Sequence, residues 1–433
     1  MKKSTIWAAG VAAVGALALT ACGAGGSGEP ASSGSTASVQ EVKFWGWAPG
    51  YADAVKAFNA SHPGIKVVYE EVQPGAKGGY EKMLNAVKAD SAACLGQVGY
   101  ETLTSFAAQG ALEDVTNYAS KNEGEYVDWT WKAVSPGGKV YAAPVDTAPM
   151  ALFYNKELFA KHGVAMPTTW DEYKQAAEKL KASDSNISIS SPYLNYDYAG
   201  LAWQAGAPWF GIDGDSWDVS LDSDANKKVA DYWQGLVDAK VISEAPMYDP
   251  AWFKGLGDGS IATLVGPVWQ AGVIKGDAKA GAGKWAVAPM PQWTAGEDKV
   301  GNAGGSATAV LKGCDTPEAA WTFAHWMSTD KDAYSALIEE AALYPAAKAL
   351  LDLPSLTKPD EYFSGEKIFD VFKAASNNVD TSWVWGPNMP QTTKDLDDGL
   401  AKAWAGTGKL ADAFSAAQTK TVDALKAQGL SVK

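Results

Sequence analysis

Between Glu41 and Tyr100 the chain switches repeatedly between a two-residue and a helical hydrophobic period, and few folds accept such an order. Glu41-Val42-Lys43-Phe44-Trp45-Gly46-Trp47 alternates and is rich in β-prone side chains. Residues 51–60 have helical spacing, which His62-Pro63-Gly64 interrupts. Ile65-Lys66-Val67-Val68-Tyr69 returns to a strand, residues 80–89 to a helix, and residues 96–100 end a third strand. Strands separated by helices are joined by crossovers, so the order predicts an open, mostly parallel sheet. Such sheets bind ligands beyond the carboxyl ends of their strands, which makes Trp47, Tyr100 and Glu101 candidates for a site.

The rest of the chain is richer in helix. Pro167-Thr168-Thr169 is a good start signal for a helix over residues 170–182. Asp222 and Ser223 are capping candidates for a helix over residues 226–239. Helices are also expected over residues 317–326, 331–340 and much of 392–428. Gly211-Ile212-Asp213-Gly214-Asp215 reads as a turn between short strands. At 433 residues the chain exceeds what one hydrophobic core sustains, so two or more lobes are expected.

The N-terminus sets the compartment. Lys2 and Lys3 precede an apolar run over residues 6–19, shorter than the roughly 20 residues a membrane span needs. A positive flank, a short apolar run and small residues read as a secretory signal over residues 1–21. Leu19-Thr20-Ala21-Cys22-Gly23 resembles a bacterial lipobox, in which Cys22 receives a diacylglycerol and becomes the mature N-terminus. That lipid would hold the protein at a membrane without spanning it. Residues 22–39, rich in Gly, Ser, Ala and Thr, are expected to form a flexible tether, of a length that suits a Gram-positive cell surface. Cys94 and Cys314 then remain, as one disulfide or as two buried thiols.

Composition narrows the ligand. A net charge of -14 argues against a nucleic-acid partner, which calls for a basic face. The chain has no arginine, the preferred fork for carboxylate and phosphate, but has 19 Trp and 17 Tyr. Most of those rings are expected in the core, yet flat aromatic faces without Arg suit a neutral ligand with apolar patches and hydroxyls. Asp213, Asp215 and Asp218 lack the Gly and terminal Glu of a calcium loop, the three His are scattered, and no phosphate-binding loop or Gly-x-Ser-x-Gly elbow occurs. No cofactor and no metal are expected.

Gly138-Lys139-Val140-Tyr141-Ala142-Ala143-Pro144, then Phe153-Tyr154-Asn155-Lys156-Glu157-Leu158-Phe159 and Pro167-Thr168-Thr169-Trp170-Asp171-Glu172-Tyr173, resemble the extracellular solute-binding proteins that include maltose-binding proteins. Gly257-Asp258-Gly259-Ser260-Ile261-Ala262 before Trp269, and Trp285-Ala286-Val287-Ala288-Pro289-Met290-Pro291, continue the resemblance. It implies an α/β, two-lobed periplasmic-binding-protein-like fold with a hinge and an interlobe ligand cleft. The first lobe would hold residues 40–146 and 303–333, the second residues 147–302 and 334–433. Cys94 and Cys314 then share the first lobe, which favours the disulfide.

The resemblance also implies a monomeric binding protein, not an enzyme, that passes an oligosaccharide to a membrane permease driven by a separate ATPase. A sugar offers one apolar face and a ring of hydroxyls, for aromatic and polar side chains respectively. The aromatic candidates are Trp47, Tyr100, Tyr198, Trp203, Trp269 and Trp385, and the polar ones Glu101, Asp146 and Asn388. Gly305 would let backbone approach the ligand. A secreted glycoside hydrolase is the competing reading, though no spacing singles out its pair of carboxylates. A binder of peptides, metals or anions is disfavoured by the missing Arg and the lack of clustered ligands.

Overall fold

The computed structural model describes residues 38–192 and 195–433. The signal segment, Cys22 and nearly all of the tether lie outside the described residues. Among the described residues no helix is long and apolar enough to cross a membrane.

The chain opens as expected. Strand β1 (Gln40–Gly46), the helix Tyr51–Ser61, β2 (Ile65–Glu71), the helix Gly79–Lys88 and β3 (Leu95–Gly99) follow in order. Every residue of β3 is buried, and Gly96 lets the Met83 sulfur approach to where a Cβ would lie 2.9 Å away. The helix Tyr100–Ala108 begins directly at the carboxyl end of β3, and β4 (Ala142–Pro144) completes the first pass.

The chain then leaves this sheet through β5 (Asp146–Thr147) and enters a second one at β6 (Met150–Asn155). The helix Trp170–Ser183 starts with a capping box: Thr169 Oγ1 accepts from Glu172 N at 3.2 Å, and Glu172 Oε2 accepts from Thr169 N at 3.2 Å. The helix Asn195–Gln204 leads to a hairpin, β7 (Phe210–Asp213) and β8 (Ser216–Val219). Ser223 caps the helix Asp224–Asp238, and β9 (Thr263–Pro267) and β10 (Trp285–Ala288) flank β6. The return pass gives β11 (Ser306–Val310) and the helices Pro317–Thr329 and Lys331–Ala341. The latter spans residues 333 and 334, and packs against both Tyr51–Ser61 and Gln270–Asp277. The last strand is β12 (Tyr344–Pro345), before the helices Ile368–Ser376, Met389–Trp404 and Leu410–Ala427.

The larger sheet has the order β2-β1-β3-β11-β4, the smaller β10-β6-β9. In the larger sheet four of the five strands run one way, as expected, and β11 alone is reversed; the smaller sheet departs from the expectation. β1 is parallel to β2 and β3, but β11 is antiparallel to β3 and β4, and the smaller sheet is antiparallel throughout. The reason is the return pass: β11 starts at Ser306, opposite Gly99 where β3 ends, so it runs back down the sheet.

Three short segments connect the two sheets, and they are tied together. β5 pairs with β12, and Ala346 N donates to Val145 O at 3.0 Å. Buried Asn302 accepts from Ala148 N at 2.8 Å through Oδ1, and Ala303 N donates to Ala148 O at 2.9 Å. At the other end of the larger sheet, Cys94 just before β3 and Cys314 just after β11 form a disulfide with Cα atoms 4.5 Å apart. Much of the tryptophan is core: Trp170, Trp209, Trp233, Trp252 and Trp285 are almost completely buried. The indole N–H groups of Trp170, Trp209 and Trp252 donate to Gln204, Asn226 and Ser190.

Candidate functional site

The carboxyl ends of β1 and β3 meet the connecting segments, and a polar framework is built there. Trp47 N donates to Gln97 Oε1 at 2.9 Å, and Gln97 Nε2 donates to Ser306 Oγ at 3.3 Å. The Trp47 ring lies edge-on to Tyr80, with centroids 5.9 Å apart. Tyr80 donates its hydroxyl proton to Glu101 Oε1 at 2.8 Å and accepts from Gly99 N at 3.0 Å. Burial pushes the Glu101 carboxyl up, against the pull of Tyr80.

Asp146 sits where the chain first leaves the larger sheet. Its Oδ1 accepts from Ser306 N at 2.9 Å and from Ser306 Oγ at 2.7 Å, which links the first two connecting segments. Burial raises its pKa to about 7 despite those hydrogen bonds. Gly305, at φ 89°, is adjacent: a Cβ there would fall 2.9 Å from Asp146 O and 2.9 Å from the Tyr100 ring. Trp269 packs beside Gly304 and donates its indole N–H to Ala303 O at 3.0 Å.

Beyond this framework lies a cavity of about 500 Å³. On one side are Tyr100, Thr104, Trp129 and Lys132, from the helices beside the larger sheet; on the other are Trp203, Ile212, Trp217, Trp383 and Trp385. Trp203 and Trp383 stack face to face, 4.8 Å apart and 7° from parallel. Trp385 stands edge-on to both, at 6.2 Å and 5.4 Å. Trp129 lies edge-on to Tyr100 at 5.4 Å and to Trp203 at 6.2 Å, which carries ring contact from one side of the cleft to the other. Trp203 is oriented by its indole N–H, which donates to Asp380 O at 2.7 Å. The Tyr100 hydroxyl is buried on the side of Asp146 and Thr130, so Tyr100 meets the cavity with its ring.

Of the sequence-predicted residues, the cavity brings together Tyr100, Trp203 and Trp385. Trp47, Glu101, Asp146, Trp269 and Gly305 form the framework behind it, through the contacts given above. Tyr198 is placed elsewhere: it lies in the helix Asn195–Gln204, is completely buried, and packs on Phe414 at 4.7 Å. Asn388 precedes the helix Met389–Trp404, where its carbonyl accepts from Gln391 N and Thr392 N, and it does not line the cavity. Sequence reasoning missed Trp129, Trp217 and Trp383. Trp383 was findable, because it lies two residues from the candidate Trp385 in a segment rich in Trp. No aspartate or glutamate is among the described residues that line the cavity, and no described group of three or more His, Cys, Asp and Glu could hold a metal ion.

Comparison with known proteins gives a consistent result. The bacterial extracellular solute-binding protein family matches residues 47–334. An ABC-transporter-associated binding protein of B. animalis subsp. lactis Bl-04, solved with β-1,6-galactobiose, is 32% identical with a TM-score of 0.83, covering 91% of this chain and 100% of that one. The galacto-N-biose/lacto-N-biose I-binding protein of a Bifidobacterium longum ABC transporter, solved with lacto-N-biose, is 33% identical with a TM-score of 0.83, covering 91% and 99%. A maltooligosaccharide ABC transporter solute-binding lipoprotein of Streptococcus pneumoniae is 24% identical over 413 residues, 87% of this chain and 89% of its own.

Proposed function

The chain belongs to the bacterial extracellular solute-binding protein family, and from that premise we propose that it captures a short neutral oligosaccharide in the aromatic cavity and delivers it to an ABC permease. The observation that carries this reading is the cavity itself. Trp and Tyr rings in its wall offer apolar faces for sugar rings, and Thr104, Lys132, Thr381 and Ser382 in the same wall bring polar side chains for sugar hydroxyls. The absence of arginine from the whole chain supports an uncharged cargo. The absence of carboxylates among the described residues of the cavity wall supports binding rather than hydrolysis, which takes two flanking carboxylates.

In this proposal the lobes comprise residues 40–146 with 303–341 and residues 147–302 with 342–433; the expected boundary at 333/334 moves to the end of the helix Lys331–Ala341, because a continuous helix cannot be divided between two moving bodies. They close on the sugar about the three connecting segments, and the loaded monomer docks on its permease. A separate ATPase drives transport. The lipobox-like Leu19-Thr20-Ala21-Cys22 supports lipid attachment at Cys22 and a place on the outer face of the cytoplasmic membrane; the Streptococcus pneumoniae relative, a lipoprotein, adds support.

Titration calorimetry of the chain from Val39 onward tests the function, with a panel of neutral oligosaccharides that includes β-1,6-galactobiose and lacto-N-biose. Micromolar or tighter binding of one linkage class, without product formation, is expected. Silence across the panel would remove the sugar claim; release of a hydrolysis product would replace it with an enzyme.

A further inference from the structure

Hairpin β7–β8 belongs to neither main sheet, yet it supplies one wall of the cavity through Ile212 and Trp217. The two residues stand directly opposite each other in the antiparallel register, so their side chains share one face of the ribbon. Ile212 is 62% exposed, and only Val39 and Val68 are other exposed large apolar side chains among the described residues. An apolar side chain at a cavity mouth gains most when a ligand covers it.

An isolated two-stranded hairpin is marginal in water, and this one is held from outside. Residues 431–433 lie alongside β8, joined to it by one parallel bridge between Trp217 and Val432. Trp217 N donates to Ser431 O at 2.9 Å, and Lys433 N donates to Trp217 O at 2.9 Å. The Ser216 and Ser431 hydroxyls are hydrogen-bonded at 2.7 Å, and the Lys433 ammonium pairs with Asp213 near the hairpin tip. The base is fixed to the helix Leu410–Ala427: Gln418 Nε2 donates to Val219 O at 2.6 Å, and Gln418 Oε1 accepts from Leu221 N at 2.8 Å. Phe210 packs so closely on Gly386 that a Cβ there would lie 2.4 Å from its ring, which sets the ribbon against the segment carrying Trp383 and Trp385.

We propose that Ile212 and Trp217 determine ligand length: their face of the ribbon receives the sugar unit farthest from Trp203, and the bridge from residues 431–433 holds that face in place. This rests on the reading of the cavity as the oligosaccharide site. A ligand too short to reach the ribbon leaves Ile212 in water, whereas one unit more covers it. Discrimination by length therefore resides on a device outside both main sheets, anchored by the last three residues of the chain.

The test compares the parent, Ile212→Ser and a chain ending at Leu430 by calorimetry. The probes are β-1,6-linked galactose and α-1,4-linked glucose series of one to four units. In the series the parent binds, affinity is expected to rise with the unit that reaches the ribbon. Ile212→Ser should lose at least fivefold of that rise, with a smaller loss on the shortest ligand, while melting at the parent's temperature. The shortened chain should show the same length-dependent loss with faster release. Equal affinities of parent and Ile212→Ser along the whole series, or an equal loss at every length, would overturn the proposal. A parent silent on both series would instead remove the oligosaccharide reading, and this proposal with it.

Discussion

Trp203 concentrates several functions in one side chain. Its face stacks on Trp383, its edge meets Trp129 across the cleft, and its N–H is fixed by Asp380. Trp203→Ala is expected to weaken sugar binding by about 2 kcal/mol or more, the range of a central aromatic anchor, as read by calorimetry. Asp146 makes a different prediction. It is a buried acid facing Tyr51, Tyr100, Tyr334 and Glu101, with its pKa raised to about 7. The folded state therefore binds a proton more tightly than the unfolded chain. The stability this adds is complete below about pH 4 and is lost as the pH rises through about 7. Buried Asp197, raised to about 8, contributes with the same sign. Asp146→Asn keeps an acceptor for Ser306 but cannot ionise. Its melting temperature relative to the parent should rise between pH 4 and pH 8; a difference independent of pH would contradict the assignment.

At the scale of elements, the sequence was most legible where local chemistry decides the outcome. The helix after Thr169 begins where Pro167-Thr168-Thr169 placed it, because capping groups act within one turn. Thr169→Ala should cost about 1 kcal/mol, measured by urea unfolding with an unchanged m-value. The first three strands were legible from period and turn signals. The antiparallel placement of β11 was not, because it depends on which end of the sheet a returning chain reaches, and no local pattern encodes that. The same limit applied to the site. Strand-end position pointed to Tyr100 and Glu101, but Trp129 and Trp217 look in sequence like any packed aromatic. Tyr198 shows the reverse error: a Tyr near a loop signal became a core side chain on Phe414.

For the whole molecule, the two sheets share only three connecting segments, stitched by Asn302 and by the pairing of β5 with β12. A few residues there can absorb a rotation that leaves each sheet intact. Saturating sugar should therefore reduce the radius of gyration measured by small-angle X-ray scattering. Tight binding with no change in radius would mean that the unliganded protein is already closed.

The bond between Cys94 and Cys314 has a topological consequence as well. The two cysteines are 220 residues apart, and the chain between them contains all of β3 to β11 and both of the first two passages between the sheets. The disulfide thus turns half the protein into a covalent ring. A protease that cuts one exposed turn anywhere on that ring opens it without freeing a fragment. Outside the cell, where this family works, a protein nicked by a peptidase would keep both halves of its cleft and migrate as one band on a denaturing gel until a reductant is added.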